Sequence, residues 1–465
     1  MNNTIAQLNS LLSLILFLIF FSIFTASHAS ADNTNKLRNI NLKAQNGDAE
    51  AQFQLANAFF TGDGLTTNPE TALQWLESAA LQQHPEALFE LAHHYEIGEL
   101  IDQDINKAVD LYTQAAELDN TDAQYNLGLI YAKGAEINQD HKEAKTWFEK
   151  AAKQGDADAQ YNLAVIYEKG LGVAVNQAKA TKWYKKSAEN GNVNAQFSTA
   201  TRYMLGEASP KNDIQAAYWF KKAANQGDAA AQFNLAVLYE LGRGLSQNTQ
   251  MAIKWYTKAA TAGETGAQYN LGIKYALADG VPKNMDTAIK WFHQAAENHN
   301  AFAQLALGYL YDEGKEIEKN TDYAIFWYRK AAENNNSQAQ FNLALIFDKG
   351  EDVKRDLDEA FQWLEKSAKN DNAGAQYNLA SYYTEGRGVD KNLEEGYFWF
   401  LISSSHDYDG AADNADYVES LLSKTVVEDI RQRASNYLVE LTSDDQPDSN
   451  DLENVPAKLS LLMDY

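Results

Sequence analysis

Few residues in this chain have the types and spacing that chemistry needs. His93 and His94 follow Glu90, and Glu90 and His94 stand four residues apart, where two side chains of one helix can share a metal ion. Adjacent histidines point in different directions on a helix, and no third ligand accompanies them, so no metal site is expected. No G-x-S-x-G, H-E-x-x-H or phosphate loop occurs, and the eight histidines have no repeated carboxylate partner. Cysteine is absent, which excludes thiolate nucleophiles, thiolate metal sites, disulfides and a lipid-modified N-terminal cysteine. Neither an enzyme nor a bound cofactor is expected.

The chemistry that does recur is that of binding. Asn126, Asn162, Asn234, Asn270, Asn342 and Asn378 fall on one register, and amides there can hold a peptide backbone through paired hydrogen bonds. The residue before that register is aromatic at Phe53, Phe89, Tyr125, Tyr161, Phe197, Phe233, Tyr269, Phe341 and Tyr377. Three residues after it stand Leu129, Val165, Val237, Ile273, Tyr309 and Leu345, and three further on the acids Glu168, Glu240, Asp312 and Asp348. Two readings of the apolar positions stay open. They line a groove for an extended or helical peptide, or they are first helices crowded together in a tight superhelix. The amides equally fit bonds within or between repeats, and the acids a solvated rim.

Positions that recur this way need an element that recurs. Alanine stands every 36 residues from Ala51 to Ala411, with Leu and Tyr four and eight residues beyond it, as in Ala159, Leu163 and Tyr167. That is one face of a helix, ended by a loop such as Gly170–Gly172. A second helix is announced by Asn68, Asp104, Asp140, Asn176, Asn212, Asn248, Asn284, Asn320, Asp356 and Asn392, short acceptors suited to an N-cap. Seven residues later comes the tryptophan: all nine share this register, separated by 36 or once by 72, where Leu111 fills the gap. Trp, Tyr and Ala at fixed register are read as the core between units. The unit ends at Gly155, Gly191, Gly227 or Gly263, and later at His299, Asn335 and Asp371, which tolerate the left-handed turn.

A period of this size means stacked two-helix units that bury a continuous core only together. AQYNLGLIYAKG (123–134) followed by KEAKTWFEKAAKQG (142–155) resembles the Sel1-like repeat family, relatives of the tetratricopeptide repeats, whose own period is 34. The resemblance spans about 51–406 and implies an all-α, right-handed α-solenoid superhelix of about ten 36-residue helix-turn-helix repeats. It also implies that the first helices line the concave surface, and that the protein is an adaptor. The groove residues expected on that surface are Tyr125, Leu129, Tyr161, Val165, Phe233, Val237, Tyr269, Ile273, Tyr309, Phe341 and Leu345, with Asn126, Asn162, Asn234 and Asn270 beside them. Cysteine-rich secreted relatives described as penicillin-binding or weakly β-lactamase-like carry a disulfide in each repeat, so that activity is not carried over.

The 64 acidic and 39 basic side chains give a formal charge of -25, which argues against nucleic acid and against electrostatic attachment to anionic lipid. Residues 11–24 are uncharged and apolar, short for a membrane span, and Ala29 and Ala31 fit a small-residue cleavage site. The n-region, however, has no Lys or Arg. A signal peptide over 1–31 is expected, with an uncleaved anchor as the alternative. The expected mature chain has an N-terminal capping half-repeat (32–50), repeats (51–406), capping helices (407–441) beginning their last segment with a Thr425-x-x-Glu428 box, and a disordered acidic tail (442–465). The expected location is periplasmic or secreted, and the expected role a scaffold binding a protein or peptide partner at the bacterial envelope or host interface, or alternatively a cell-wall glycan.

Overall fold

The computed structural model describes residues 35–134, 138–207 and 210–444, with side chains to Leu441. The expected leader and the tail beyond Asp444 lie outside the described residues. Twenty-three helices and no strand occur among the described residues. Helix α1 covers 35–45. The first pairs are α2 (Ala49–Thr61) with α3 (Pro69–Ala80), α4 (Pro85–Ile97) with α5 (Ile105–Glu117), and α6 (Thr121–Lys133) with α7 (His141–Gln154). Next come α8 (Ala157–Lys169) with α9 (Gln177–Glu189), α10 (Val193–Leu205) with α11 (Asp213–Asn225), and α12 (Ala229–Leu241) with α13 (Thr249–Thr261). The series ends with α14 (Thr265–Leu277) and α15 (Met285–Glu297), α16 (Ala301–Glu313) and α17 (Thr321–Glu333), α18 (Ser337–Lys349) and α19 (Leu357–Lys369), and α20 (Ala373–Glu385) and α21 (Leu393–Ser405). Helices α22 (Ala411–Glu419) and α23 (Lys424–Asp444) pack on α21. The chain divides into two compact units, one ending at Thr199 and one beginning at Ala200; consecutive helices pack on one another from α2 to α9 in the first and from α11 to α22 in the second.

Local chemistry places most boundaries. The Asn and Asp series caps the second helices, each side chain accepting from the backbone N–H three residues on, as Asn248 does from Met251 at 2.9 Å. A further series, three residues before each ladder alanine, caps the first helices: Asp228 accepts from Ala231 at 2.6 Å, and Asp48, Asn120, Asp156, Asn300, Asn336 and Asn372 act likewise. Turns between pairs are left-handed, with φ of 94–101° at Gly155, Gly191, Gly227 and Gly263 but 55–65° at Gln83, Asp119, His299, Asn335, Asp371 and Asp407. A Cβ restricts these residues to the narrow left-handed well, whereas glycine relaxes beyond it. At the other end, Gly244 combines a positive φ with close approach, since a Cβ there would run into the Asp213 carbonyl. The C-terminal helix departs from expectation: Thr425 lies inside α23, and Ser423 takes the cap position with its hydroxyl 3.5 Å from the N–H of Val426.

The core register is shifted by one residue from the tryptophans. The most deeply buried series follows them: Leu76, Tyr112, Phe148, Tyr184, Phe220, Tyr256, Phe292, Tyr328, Leu364 and Phe400. Trp147, Trp219, Trp255, Trp327 and Trp399 are buried beside it, but Trp75, Trp183, Trp291 and Trp363 are half-buried. Lysines one turn on roof several indoles, 3.8 Å from the ring centroid at Lys150–Trp147 and 4.4 Å at Lys258–Trp255. Opposite the deep series stand small residues. At Gly128, Gly272 and Gly308 a Cβ would strike Phe148, Phe292 and Tyr328. No helix among the described residues is long and apolar enough to cross a membrane.

Candidate functional site

The aromatics before the amide register bridge three helices. Tyr125, Tyr161, Phe233 and Tyr269 meet the deep aromatic of their own pair, at centroid distances of 5.9, 5.6, 5.8 and 6.0 Å. They also reach the next first helix, where Tyr269 meets Phe302 at 5.9 Å and Phe233 sits over Gly266, as Phe341 does over Gly374. Phe233 and Tyr269 are buried by this, whereas Tyr125, Tyr161 and Phe341 stay half-buried.

The apolar series three residues after the amide register is not uniform. In the first unit Leu129 is 38% exposed and Val165 half-buried, on the adjoining helices α6 and α8. In the second unit Val237 and Ile273 are sealed in the core at 0% and 4%, while Tyr309 and Leu345, on the adjoining α16 and α18, are half-buried and line one cavity. Open apolar surface is therefore found on α6 with α8 and on α16 with α18.

The amides have two jobs, set by the deep residue of the preceding pair. After Tyr112, Asn126 donates to the phenol oxygen at 3.3 Å, and Asn270 faces Tyr256 in the same way. After Phe148, Phe220 and Leu364 the deep residue offers no hydroxyl, and Asn162, Asn234 and Asn378 donate back to the carbonyls of Asp158, Ala230 and Gly374 at 3.0, 2.8 and 2.8 Å, Asn162 lying also beside the Tyr125 hydroxyl of the preceding first helix. These donors are engaged inside the repeat.

The expected acidic rim is largely internal as well. Tyr112, Tyr184 and Tyr256 donate to Glu96, Glu168 and Glu240 at 2.7, 2.8 and 2.6 Å. Where the deep residue is Phe, at Phe148, Phe220, Phe292 and Phe400, the acid position holds Ala132, Met204, Ala276 and Thr384. The acid accompanies a deep tyrosine in every second repeat over Tyr112 to Tyr328, and at Tyr112, Tyr184 and Tyr256 it satisfies the hydroxyl. Asp348 is held otherwise. Its burial would raise the carboxyl pKa, but Arg387 at 2.5 and 2.6 Å and Arg355 at 3.1 Å outweigh it and hold the group below the ordinary range. Asp312 is pushed up by burial.

A further series passed unread in the sequence. Gln follows the ladder alanine at Gln52, Gln124, Gln160, Gln196, Gln232, Gln268, Gln304, Gln340 and Gln376, and all nine are buried. Each donates to the carbonyl eight residues earlier, as Gln340 does to Ala332 at 3.1 Å, so it ties a first helix to the end of the preceding pair. Gln124, Gln160, Gln304 and Gln340 also accept from Gln154, Asn190, Asn334 and Asn370, at 2.9 to 3.1 Å. Leu88 replaces the glutamine in the second pair. The recurring Ala-Gln dipeptide was the available signal. His93 and His94 separate as their adjacency requires: His93 lies 3.4 Å from the Tyr112 hydroxyl, while His94 stacks on Phe60 at 5.2 Å and burial lowers its pKa. Among the described residues no group of three or more potential ligands could hold a metal.

A family model for the Sel1 repeat matches ten consecutive segments, 49–84, 85–120, 121–156, 157–192, 193–228, 229–264, 265–300, 301–336, 337–372 and 373–408. Among solved structures, the chain is similar to a protective antigen of uropathogenic Escherichia coli strains that displays an SLR fold. Identity is 30%, the TM-score 0.63, and the match covers 86% of this chain and 94% of that one. It is also similar to a Sel1 repeat protein from Oxalobacter formigenes, at 30% identity and a TM-score of 0.54, covering 70% and 92%. No curated protein matches the chain.

Proposed function

Since this chain belongs to the Sel1 repeat family, whose solenoids generally mediate protein–protein interactions, we propose that it is a non-catalytic scaffold acting outside the cytoplasm. Its protein partner is held on the first-helix face. The observation that carries this reading is the open apolar surface of Leu129 and Val165 in one unit and of Tyr309 and Leu345 in the other. These side chains differ from Val237 and Ile273, which have the same register and are consumed by packing. An apolar patch left half-covered within a polar surface is the usual mark of a docking site. The charge of -25 favours a partner with a basic surface, which it would attract at long range. The apolar run and small-residue site at the N-terminus support export, as does the protective-antigen character of the similar E. coli protein.

Affinity capture from envelope and secreted fractions tests this, with the full chain as bait beside a variant carrying Leu129→Asp, Val165→Asp and Leu345→Asp. All three positions retain solvent contact, so the variant should keep the parent's circular dichroism and melting curve. Loss of a partner by the folded variant is the expected result. Equal recovery by both baits would overturn the assignment of the first-helix face.

A further inference from the structure

The tyrosine–acid pair of α12 and α13 belongs to a larger cage. Glu240 accepts from Tyr256, and the Lys274 ammonium lies 2.7 Å from Glu240, 3.1 Å from Asp279 and 5.8 Å from the centroid of the Tyr256 ring. Lys274 is 2% exposed, so its charge is neutralised inside the protein by two carboxylates and a phenol. Seventy-two residues on, the sequence repeats every element but one. Asp312 stands for Glu240, Tyr328 for Tyr256, Asn342 for Asn270 and Glu351 for Asp279, whereas the lysine is replaced by Ile346.

Two changes follow. Asp312 is one methylene shorter than glutamate and does not meet the phenol, so the Tyr328 hydroxyl, on a residue with no exposed surface, has no carboxylate to donate to and only the Asn342 amide beside it. A cavity of about 380 Å³ opens where the ammonium would be, lined by Asp312, Tyr328, Asn342, Ile346, Glu351 and Tyr309 among others. Four carboxylates line it (Asp312, Glu313, Glu351 and Asp352) against two ammonium groups. Of those two, Lys319 is engaged by Asp352 at 2.6 Å and Lys349 is exposed, while Glu313 is engaged by Lys315 at 3.1 Å, so the acids that bear on the cavity are Asp312 and Glu351. Leu345, Ile346 and the Tyr309 ring supply apolar wall for an alkyl stem, the environment in which a lysine chain buries its methylenes while its ammonium finds an acid.

We propose that the cavity among α16, α17 and α18 receives a lysine side chain from a partner protein, its ammonium taking the place that the chain's own Lys274 takes two repeats earlier. The carboxylates of Asp312 and Glu351 accept from the ammonium, and the Tyr328 oxygen completes its shell. The scaffold reading enters only in assigning the lysine to a protein; the cavity's choice of ligand stands apart from it.

Methyl NMR of the full chain, labelled at isoleucine and leucine, tests the cavity without a partner. The probe is Nα-acetyl-lysine amide, with Nα-acetyl-norleucine amide as the uncharged control. Saturable shifts of Leu345 and Ile346 are expected with the lysine probe, and binding weaker by roughly tenfold or more with the control. Asp312→Asn, nearly isosteric, should weaken the lysine probe by a similar factor. Ile346→Lys, which rebuilds the internal cage, should abolish its effect on Leu345 while the fold is kept. No saturable shift in the parent, equal binding of the two probes, or parental binding in both variants would overturn the proposal. None of these results bears on whether the first-helix face captures a partner, so failure of the cavity and failure of the scaffold reading are separately visible.

Discussion

At the scale of single residues, the repeat is a set of paired exchanges. A deep aromatic on the second helix requires a small residue on the first, and at Gly272 the fit against Phe292 leaves no room for a methyl group. Gly272→Ala should therefore destabilise by about 1–3 kcal/mol, as overpacking does. In denaturant unfolding, the double variant Gly272→Ala with Phe292→Leu should lose less than the two single losses together, because leucine removes the ring edge that a methyl group at 272 would strike. Full additivity would refute the pairing. Residue identity was legible in the sequence, but residue purpose only in part. Asn126 and Asn234 share one register, yet one bonds a phenol and the other its own helix. What separates them is the deep residue fourteen positions earlier, Tyr112 or Phe220, and that adjacency is created by folding.

At the scale of elements, caps and turns placed the helices well from sequence, because they depend on local backbone chemistry. The tryptophans were less informative than their regularity implied. The sequence period does not tell which of two adjacent aromatics points inward. Phe292 is fully buried and Trp291 only half-buried, so Phe292→Ala should cost roughly 3–5 kcal/mol and Trp291→Ala clearly less. The reverse order in thermal or urea unfolding would overturn the assigned core register. Between elements, Arg243 holds the start of α11 through Asp213 at 2.9 and 3.2 Å, and these bonds keep the carboxyl below its ordinary pKa. A depressed folded value means stabilisation present above the unfolded carboxylate pKa and lost as pH falls through the lowered one. Asp213→Asn should therefore lower stability near neutrality and converge on the parent in acid. A gap that stayed constant with pH would show that the ion pair contributes nothing. Burial raises Asp312, so its contribution has the opposite sign: protonation on acidification relieves the buried charge.

At the scale of the molecule, the solenoid was legible because nearest-neighbour packing reads directly from a fixed period. The alternation of tyrosine–acid and phenylalanine pairs makes the effective period two repeats over much of the chain, which 36-residue comparison hides. It gives a prediction about length. Deleting 265–336 sets Asn342 where Asn270 faced Tyr256, whereas deleting 265–300 sets Ala306 there. The longer deletion should melt at the higher temperature despite losing more chain; the opposite order would contradict a two-repeat period. Which apolar inner positions remain open was not legible, since Val237 and Leu345 share one register and one chemistry. Their difference arises from the surroundings that each neighbour supplies.

The most direct test of the central claim is site-resolved photo-crosslinking in the native host. A benzophenone amino acid would be placed singly at Leu129, Val165, Tyr309 and Leu345 on the first helices, and at Lys185, Lys254 and Gln362 on exposed positions of second helices. The account predicts adducts with a common partner from the first set and none from the second. Adducts formed only from the second-helix positions would contradict it and leave the inner apolar residues as packing alone.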